Sequence, residues 1–336
     1  MKTRELAFQE LKNQKVFQVE SYSESKASEW DEFVVKSNNG TLFHTRRFIN
    51  YHPPDRFTDA SLIFKKDNKW MAVLPAVVKQ IDGHKRLISH AGASMAGPAF
   101  RSTLSFKDTF RLVESLLDYA QRNACNQIQI TLPPQIYHWR PSNYLDFALL
   151  DFGFTYQKRE VSSVIPLDFA EEDTLLIFSP ESRRAVRKAL KLGVQVQESD
   201  DFGAFYVLLK KNLQLRHHVQ PTHTLQELVY LKSLFPDEIR LFTAQANNQI
   251  AAGILIFICN KKVALAFYVS HDEKLQNYRS VNLLFYEAFR WCIRRQLKFL
   301  DFGIFTVNMK PNWGLAKFKE SFGAQGVFRD TFVKTL

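Results

Sequence analysis

Cysteine is scarce in this chain of 336 residues. Cys125, Cys259 and Cys292 are odd in number and widely spaced. That excludes a disulfide framework and predicts a reduced, cytoplasmic protein. None sits in a metal-type or redox pair. Long apolar runs are also missing. The longest, Ile250 to Cys259, falls far short of the ~20 residues a membrane-spanning helix needs. It reads as a buried strand, and no transmembrane segment is expected. The first residues, Met1-Lys-Thr-Arg-Glu-Leu-Ala-Phe-Gln, lack the apolar region of a secretory signal. Acid is in deficit: 34 Asp and Glu face 45 Lys and Arg, a formal net charge of +11. That surplus suggests an anionic partner: nucleic acid, a nucleotide cofactor, a phosphorylated substrate or a membrane surface. Solubility alone is the competing explanation. No recognition-helix motif accompanies the charge, so sequence-specific DNA binding is not expected.

What is abundant is apolar surface. A 46% hydrophobic fraction with 30 phenylalanines supplies cores for two domains of ordinary size. The most informative stretch lies late. Leu300-Asp301-Phe302-Gly303 closes an apolar run on an acid and a glycine. Gly314 to Gly323 follows, a short amphipathic segment with Leu315, Phe318 and Phe322 on one helical face. A weaker echo, Ala148-Leu-Leu-Asp-Phe-Gly-Phe154, occurs earlier.

The chain reads as one unit used twice. In the first copy, Ser61 to Phe64 and Trp70 to Val78 are strand candidates around an Asp67-Asn68 turn. A helix over Phe106 to Arg122, a strand over Ile128 to Leu132, a helix from Ser142 to Gly153 and a strand through Val164 follow. In the second, strands begin at Ile239, Ile250 and Val263. A helix from Ser280 to Arg295, a strand over Leu297 to Phe302, the short helix and a last strand over Val327 to Val333 complete it. Alternating strands and helices predict an α/β, mixed α+β fold.

A basic helix lies between the copies. Ser179-Pro180 starts it and Gly193 ends it. Arg183, Arg187 and Lys191 recur at four-residue spacing, with Arg184 and Lys188 beside them. Either this is a solvated face or it binds phosphate or RNA. A helix over Phe202 to His217 follows, then one whose start, Thr224-Leu-Gln-Glu227, fits a capping box. Arg216-His217-His218 and His223 lack matching Cys, Asp or Glu partners, so no metal is expected. Tyr137, Trp139 and Tyr144 wall a pocket or fill a core.

The arrangement resembles the FemAB-like branch of the GNAT acyltransferases, including the BioF2-like acetyltransferase domain. The motifs that carry it are Gly40-Thr-Leu-Phe-His-Thr, Ser182-Arg-Arg-Ala-Val-Arg-Lys-Ala, Phe267-Tyr-Val-Ser, Tyr278-Arg-Ser-Val-Asn-Leu-Leu, Leu300-Asp-Phe-Gly and Leu315-Ala-Lys-Phe-Lys-Glu-Ser-Phe-Gly. Nearly the whole chain is covered. The resemblance implies tandem GNAT-like domains, each a mixed central sheet flanked by helices. They would span residues 1–165 and 166–336, with the basic helical insert at about 179–235. It implies an N-acyltransferase that moves an acyl group from an acyl-thioester such as acyl-CoA to a small-molecule or peptide-like amine. One alternative is an aminoacyl-tRNA-dependent transferase acting on a cell-wall precursor. Another is a catalytically silent binding protein that keeps the fold.

The resemblance also distributes roles. A lysine in the Phe-Lys-x-x-Phe turn helps at the reaction centre of the tRNA-dependent members, and Lys319 matches it. Its ammonium would steady a tetrahedral anion, unless it is an ordinary surface lysine. Asp301 is the carboxylate expected to take the amine proton, unless it caps the loop. Arg279 and Ser280 at the helix start, with Tyr268 and Val269 on the strand before it, are the expected donor-binding residues. His44, Arg46, Arg216 and Phe318 are the expected acceptor contacts. Two departures stand out. Gln276 to Asn282 contains no glycine, and Asn50 stands where peptidoglycan-type members have a lysine, leaving Arg46 or Arg47 as substitutes.

Overall fold

The computed structural model describes residues 17–217 and 219–336; the side chains of 215–217 lie outside that description. The chain divides into one unit of 17–159 with 329–336 and a second of 160–328. The division falls before Glu160, and the last eight residues return to the first unit.

In the first unit, β1 (Gln18–Ser21) leads to α1 (Ala27–Lys36). β2 (Leu62–Lys66) and β3 (Lys69–Leu74) pair antiparallel, with β1 on the far side of β2. β4 (Ala76–Ile81) and β5 (His84–Ser89) make a hairpin in a separate sheet. The single strand expected over Trp70 to Val78 is therefore two. Pro75 separates them; it has no N–H for a ladder, and the chain changes sheets there. α2 (Phe106–Arg122) starts where Ser105 accepts the Asp108 N–H. It buries Leu112, Val113, Leu116 and Ala120. It then delivers β6 (Gln127–Thr131) parallel to β5. A parallel pair needs such a crossover. α3 (Tyr144–Asp151) follows. Ile128, Ile130, Leu149 and Phe332 share this unit's main core.

The second unit repeats the plan. β7 (Thr155–Pro166) enters it, and α4 (Pro180–Lys191) is the basic helix. Then come β8 (Gln195–Ser199), α5 (Phe202–His217) and α6 (Leu225–Leu234), whose capping box at Thr224 and Glu227 is present. β9 (Ile239–Ala246), β10 (Gln249–Ile258) and β11 (Val263–His271) run antiparallel in series. α7 (Ser280–Arg294) crosses over to β12 (Phe299–Ile304), which lies parallel to β11. α8 (Trp313–Glu320) and β13 (Gln325–Thr335) end the chain. The core gathers Ile254, Ile256, Leu284, Phe289, Leu300 and Phe322.

Each unit thus holds one parallel strand pair bridged by a long helix: β5–α2–β6 and β11–α7–β12. Each also takes a strand from the other half of the sequence. β7, which follows α3, pairs with β12. β13, which follows α8, pairs with β6. The echo at Ala148 to Phe154 corresponds to a different place than expected. Asp151-Phe152-Gly153 ends a helix, with Gly153 at φ +80°. Its counterpart is Gly323 at φ +88°, just after α8, rather than the end of β12.

Candidate active site

The second unit contains an open cleft of about 1070 Å³. Its origin is the pairing of β11 and β12. They are joined only from Val263↔Phe299 to Leu265↔Asp301. β11 continues to His271 and β12 to Ile304, so the strands part. A bulge falls at the same point. Tyr268 faces Leu255, but Ala266 faces Ile256, leaving Phe267 as the extra residue. Ala266, Phe267, Val269 and His271 line one wall, and Phe302 lies across from them.

Helices α7, α8 and α4 close the remaining sides, with Asn212 of α5 at the edge. α7 contributes its first turn, Ser280, Val281 and Asn282, with Arg279 and Gln276 before it. No side chain caps this helix, and Arg279 ahead of it is left-handed at φ 59°. A residue with a Cβ costs about 1–2 kcal/mol in that region. The glycine that the loop lacks is therefore missing from its sequence but not from its backbone shape. Ser280 is buried, and its Oγ has no hydrogen-bond partner among the described residues. The Asn282 N–H turns back to the Arg279 carbonyl at 3.0 Å, and a helix start with no side-chain cap and a spare hydroxyl suits an anion.

α8 contributes Leu315, Lys317, Phe318 and Lys319. Lys319 is buried at 6% exposure. Its Nζ donates to the Gly303 carbonyl at 2.7 Å and the Ile304 carbonyl at 2.9 Å. The ammonium thus ties α8 to the end of β12. α4 contributes Glu181, Ser182, Arg184 and Lys188. None of the five cations of α4 has a carboxylate partner among the described residues. The cleft therefore sets Arg184, Lys188, Arg279, Lys317 and Lys319 against two carboxylates, Glu181 and Asp272. Asp272 is occupied: a backbone hydrogen bond from Lys274 holds it below the usual carboxylate range.

The structure separates the expected site residues. Lys319, Arg279, Ser280, Val269 and Phe318 meet in the cleft. Asp301 is fully buried and is not part of the lining. Its Oδ1 accepts from the Ser162 hydroxyl at 2.6 Å and the Gly303 N–H at 2.7 Å. That is the loop-capping alternative, and it shapes the turn whose carbonyl Lys319 grips. Tyr268 points away from the cleft. Its hydroxyl meets Thr222 at 2.6 Å and His223 at 3.1 Å, and burial pushes the phenol up. Arg216 has its side chain outside the described residues, as do His217 and His218.

His44 and Arg46 lie in the first unit and serve its framework, which corrects the acceptor-contact expectation for both. His44 is fully buried. Its Nδ1 lies 2.8 Å from the Thr41 hydroxyl, and its Nε2 lies 3.1 Å from the Gly97 carbonyl. Burial drops its pKa to about 4, so the ring is neutral. Gly40 beside it has no room for a Cβ, which would fall 2.1 Å from the Val34 carbonyl. The Gly-Thr-Leu-Phe-His-Thr motif is thus a tight double cap. Arg46 is 4% exposed. Its guanidinium stacks 3.8 Å over Tyr22, donates to Ser61 and Asn50, and pairs with Asp59. Its two terminal nitrogens are taken up by the framework, and its buried Nε makes no hydrogen bond among the described residues.

Several lining residues carried no role in the sequence: Phe267, His271, Asn212, Gln276 and Lys317. Only the strand's alternation hinted at His271, and nothing local announced the bulge. Among the described residues no three His, Cys, Asp or Glu side chains group as a metal site. No described helix is long and apolar enough to cross a membrane. Of the aromatic trio, Tyr137 is buried, while Trp139 and Tyr144 are exposed.

Residues 180–320 match the family model of the acetyltransferase (GNAT) domain. No curated protein sequence matches the chain. Among solved structures, FemX shares the fold with a TM-score of 0.72 at 14% identity, covering 95% of this chain and 97% of its own. A tandem GNAT protein from the clavulanic acid biosynthesis pathway aligns at 0.57 and 9% identity, covering 95% and 98%. L-PGS from Bacillus licheniformis aligns at 0.57 and 13% identity, covering 92% and 91%. The fold is that of tandem GNAT proteins, and residues 180–320 of the second unit carry the match to the GNAT acetyltransferase domain.

Proposed function

We propose that the second unit's cleft takes an acyl-thioester, acyl-CoA being the donor that fits best, and passes its acyl group to an amine. The observation that carries this is the unpartnered Ser280 hydroxyl at the uncapped start of α7, beside Arg279. That end suits a diphosphate. The gap between β11 and β12 suits the extended arm of the donor, and Phe267 and Phe302 border it.

In the reaction the amine nitrogen attacks the thioester carbonyl carbon. The carbonyl oxygen gains negative charge, and the thiolate then leaves with its bonding pair. Lys319 stands on the cleft wall and offers positive charge to that oxygen, although two carbonyls already hold its ammonium. A preorganised donor is worth about 3–4 kcal/mol of barrier. His271 is a cleft-lining imidazole that can accept the amine proton. Asp301 acts through the Gly303 turn, as a positioning residue.

The cations of α4 favour a second reading, transfer from an aminoacyl-tRNA. Arg184 and Lys188 reach the cleft, and Arg187 and Lys191 extend the stripe beyond it. Phosphate contacts of that kind dominate nucleic-acid affinity and weaken steeply with salt.

The test is thermal stabilisation against acetyl-CoA, longer acyl-CoAs and aminoacyl-tRNA at low and moderate salt. A ligand of the native state raises the melting temperature with its occupancy. A shift with an acyl-CoA that disappears in Arg279→Ala supports the thioester reading. A salt-sensitive shift with tRNA alone replaces it, and no shift with any donor favours a silent binding protein.

A further inference from the structure

We infer that the lip of this cleft, residues 307–315, seats on an anionic membrane surface. Nine consecutive residues there, Val307 to Leu315, are exposed. Four are large and apolar: Val307 at 65% exposure, Met309 at 55%, Trp313 at 77% and Leu315 at 36%. Isolated apolar residues on a surface need no account, but four within nine consecutive exposed residues concentrate apolar surface in one segment, as interaction sites do. None of the nine is acidic, and Lys310 stands in their midst.

The lip is held in place. Val307 pairs with Lys310 across a two-residue turn, and Thr306 pairs with Pro311. The Met309 N–H donates to the buried Glu160 carboxylate at 3.2 Å, and the Asn312 N–H reaches the Phe305 carbonyl at 2.9 Å. Asn308 and Met309 both adopt positive φ, at 51° and 61°. Such turns prefer Asn-Gly. Methionine at the second position carries backbone strain to set an apolar side chain at the tip.

The surroundings decide the occupant. Asn312, Gly314 and Leu315 line the cleft together with Lys317, Arg184 and Lys188. Apolar and aromatic residues at a tip, flanked by unpaired cations, match the boundary of a bilayer with anionic headgroups. Tryptophan in particular favours that boundary. A nucleic acid would use Trp313 for stacking, but aliphatic Val307 and Met309 offer no stacking face. The membrane accounts for all of them. This inference goes beyond the proposed reaction and is tested without turnover.

The experiment is co-sedimentation of the full chain with vesicles of phosphatidylcholine alone, and with about a third phosphatidylglycerol. The comparison uses the wild type, the double variant Met309→Gln with Trp313→Gln, and Lys310→Glu. Melting temperatures control for folding, since all three positions are exposed. The expected result is binding to the anionic vesicles, lost roughly tenfold or more in the double variant. Lys310→Glu, which reverses one charge, should lose about fivefold or more. Failure to bind anionic vesicles overturns the inference, as does equal binding by the double variant. Lip-dependent binding of single-stranded RNA without vesicle binding overturns it in favour of a nucleic acid. A wild-type dimer that the double variant converts to monomer, without vesicle binding, overturns it in favour of a second copy.

Discussion

The Lys319 ammonium and the Gly303 carbonyl oxygen meet at 2.7 Å. This contact crosses from α8 to the end of β12, at the point where β11 and β12 have parted. It makes the lysine both a charge at the cleft and a brace of its wall. Lys319→Ala should therefore lower the rate and also stability, by about 1–3 kcal/mol for the buried carbonyls left without their donor. Chemical denaturation and turnover on the same samples check this. Unchanged stability would show that the carbonyls find water readily and that the brace is dispensable.

Arg279 sits at φ 59°. Glycine takes that conformation without steric cost, although it gains more freedom in the unfolded chain. Arg279→Gly should leave the melting temperature unchanged or raised, while donor affinity falls about fivefold to tenfold for the lost cation. Titration calorimetry with an acyl-CoA measures the second half. A fall in both would mean that Arg279 belongs to the framework.

Ser280→Ala removes a buried hydroxyl with no partner. Such a group costs about 1–3 kcal/mol when unsatisfied, so the variant should be as stable as the parent or more so. Weaker donor binding should accompany it. A clear loss of stability in the donor-free protein would count against an anion site here.

Asp301→Asn keeps an acceptor for Ser162 and Gly303, whereas Asp301→Ala leaves both donors bare. Alanine should cost about 2–4 kcal/mol and asparagine less. If Asp301 is a positioning residue, the pH–rate profile of Asp301→Asn keeps its shape while the rate falls. Loss of one limb of the profile would restore it to the proton transfer.

Acid should weaken the first unit through His44. Its folded pKa of about 4 lies below the ordinary 6.5, so below pH 6.5 the unfolded chain binds the extra proton. Stability from this group is complete above about pH 6.5 and is lost as pH falls toward 4, by about 3 kcal/mol in all. Burial also depresses His90, to about 3, which steepens the same slope. Denaturant midpoints between pH 7 and 4 test it, and a flat profile would contradict the buried neutral ring.

Much of the fold was legible in the sequence because its periodicities are strong. α2 and α7 repeat apolar residues at helical spacing, and β9 to β11 are bounded by Asn-Asn and Asn-Lys turns. The twofold repeat of strands and helices followed from element order, whereas which strands run parallel did not. What escaped was set by distant partners. Trp70 to Val78 is one apolar run, and only the sheet change at Pro75 divides it. β1 and α1 carry weak patterns and are fixed by packing of Phe17 and Trp30.

The site was legible where a motif sat on one element. Lys319, Phe318, Arg279 and Ser280 meet because α8 and the start of α7 present them directly. Arg46 looked like a substrate contact because Asp59, Tyr22 and Ser61 are remote in sequence. His44 looked available because its partner Gly97 lies 53 residues on. Phe267 was read as an ordinary strand residue, since a bulge depends on what β10 does opposite it.

The strand exchange has a consequence for biosynthesis. β6 receives its antiparallel neighbour only when residues 331–335 are made. Until then the first half leaves the ribosome with one bare strand edge, the kind of edge that recruits foreign strands. Halting synthesis after residue 165 would give a fragment that lacks this strand and carries a dangling β7. The chain is divisible by inspection into two repeats, but the two must mature together.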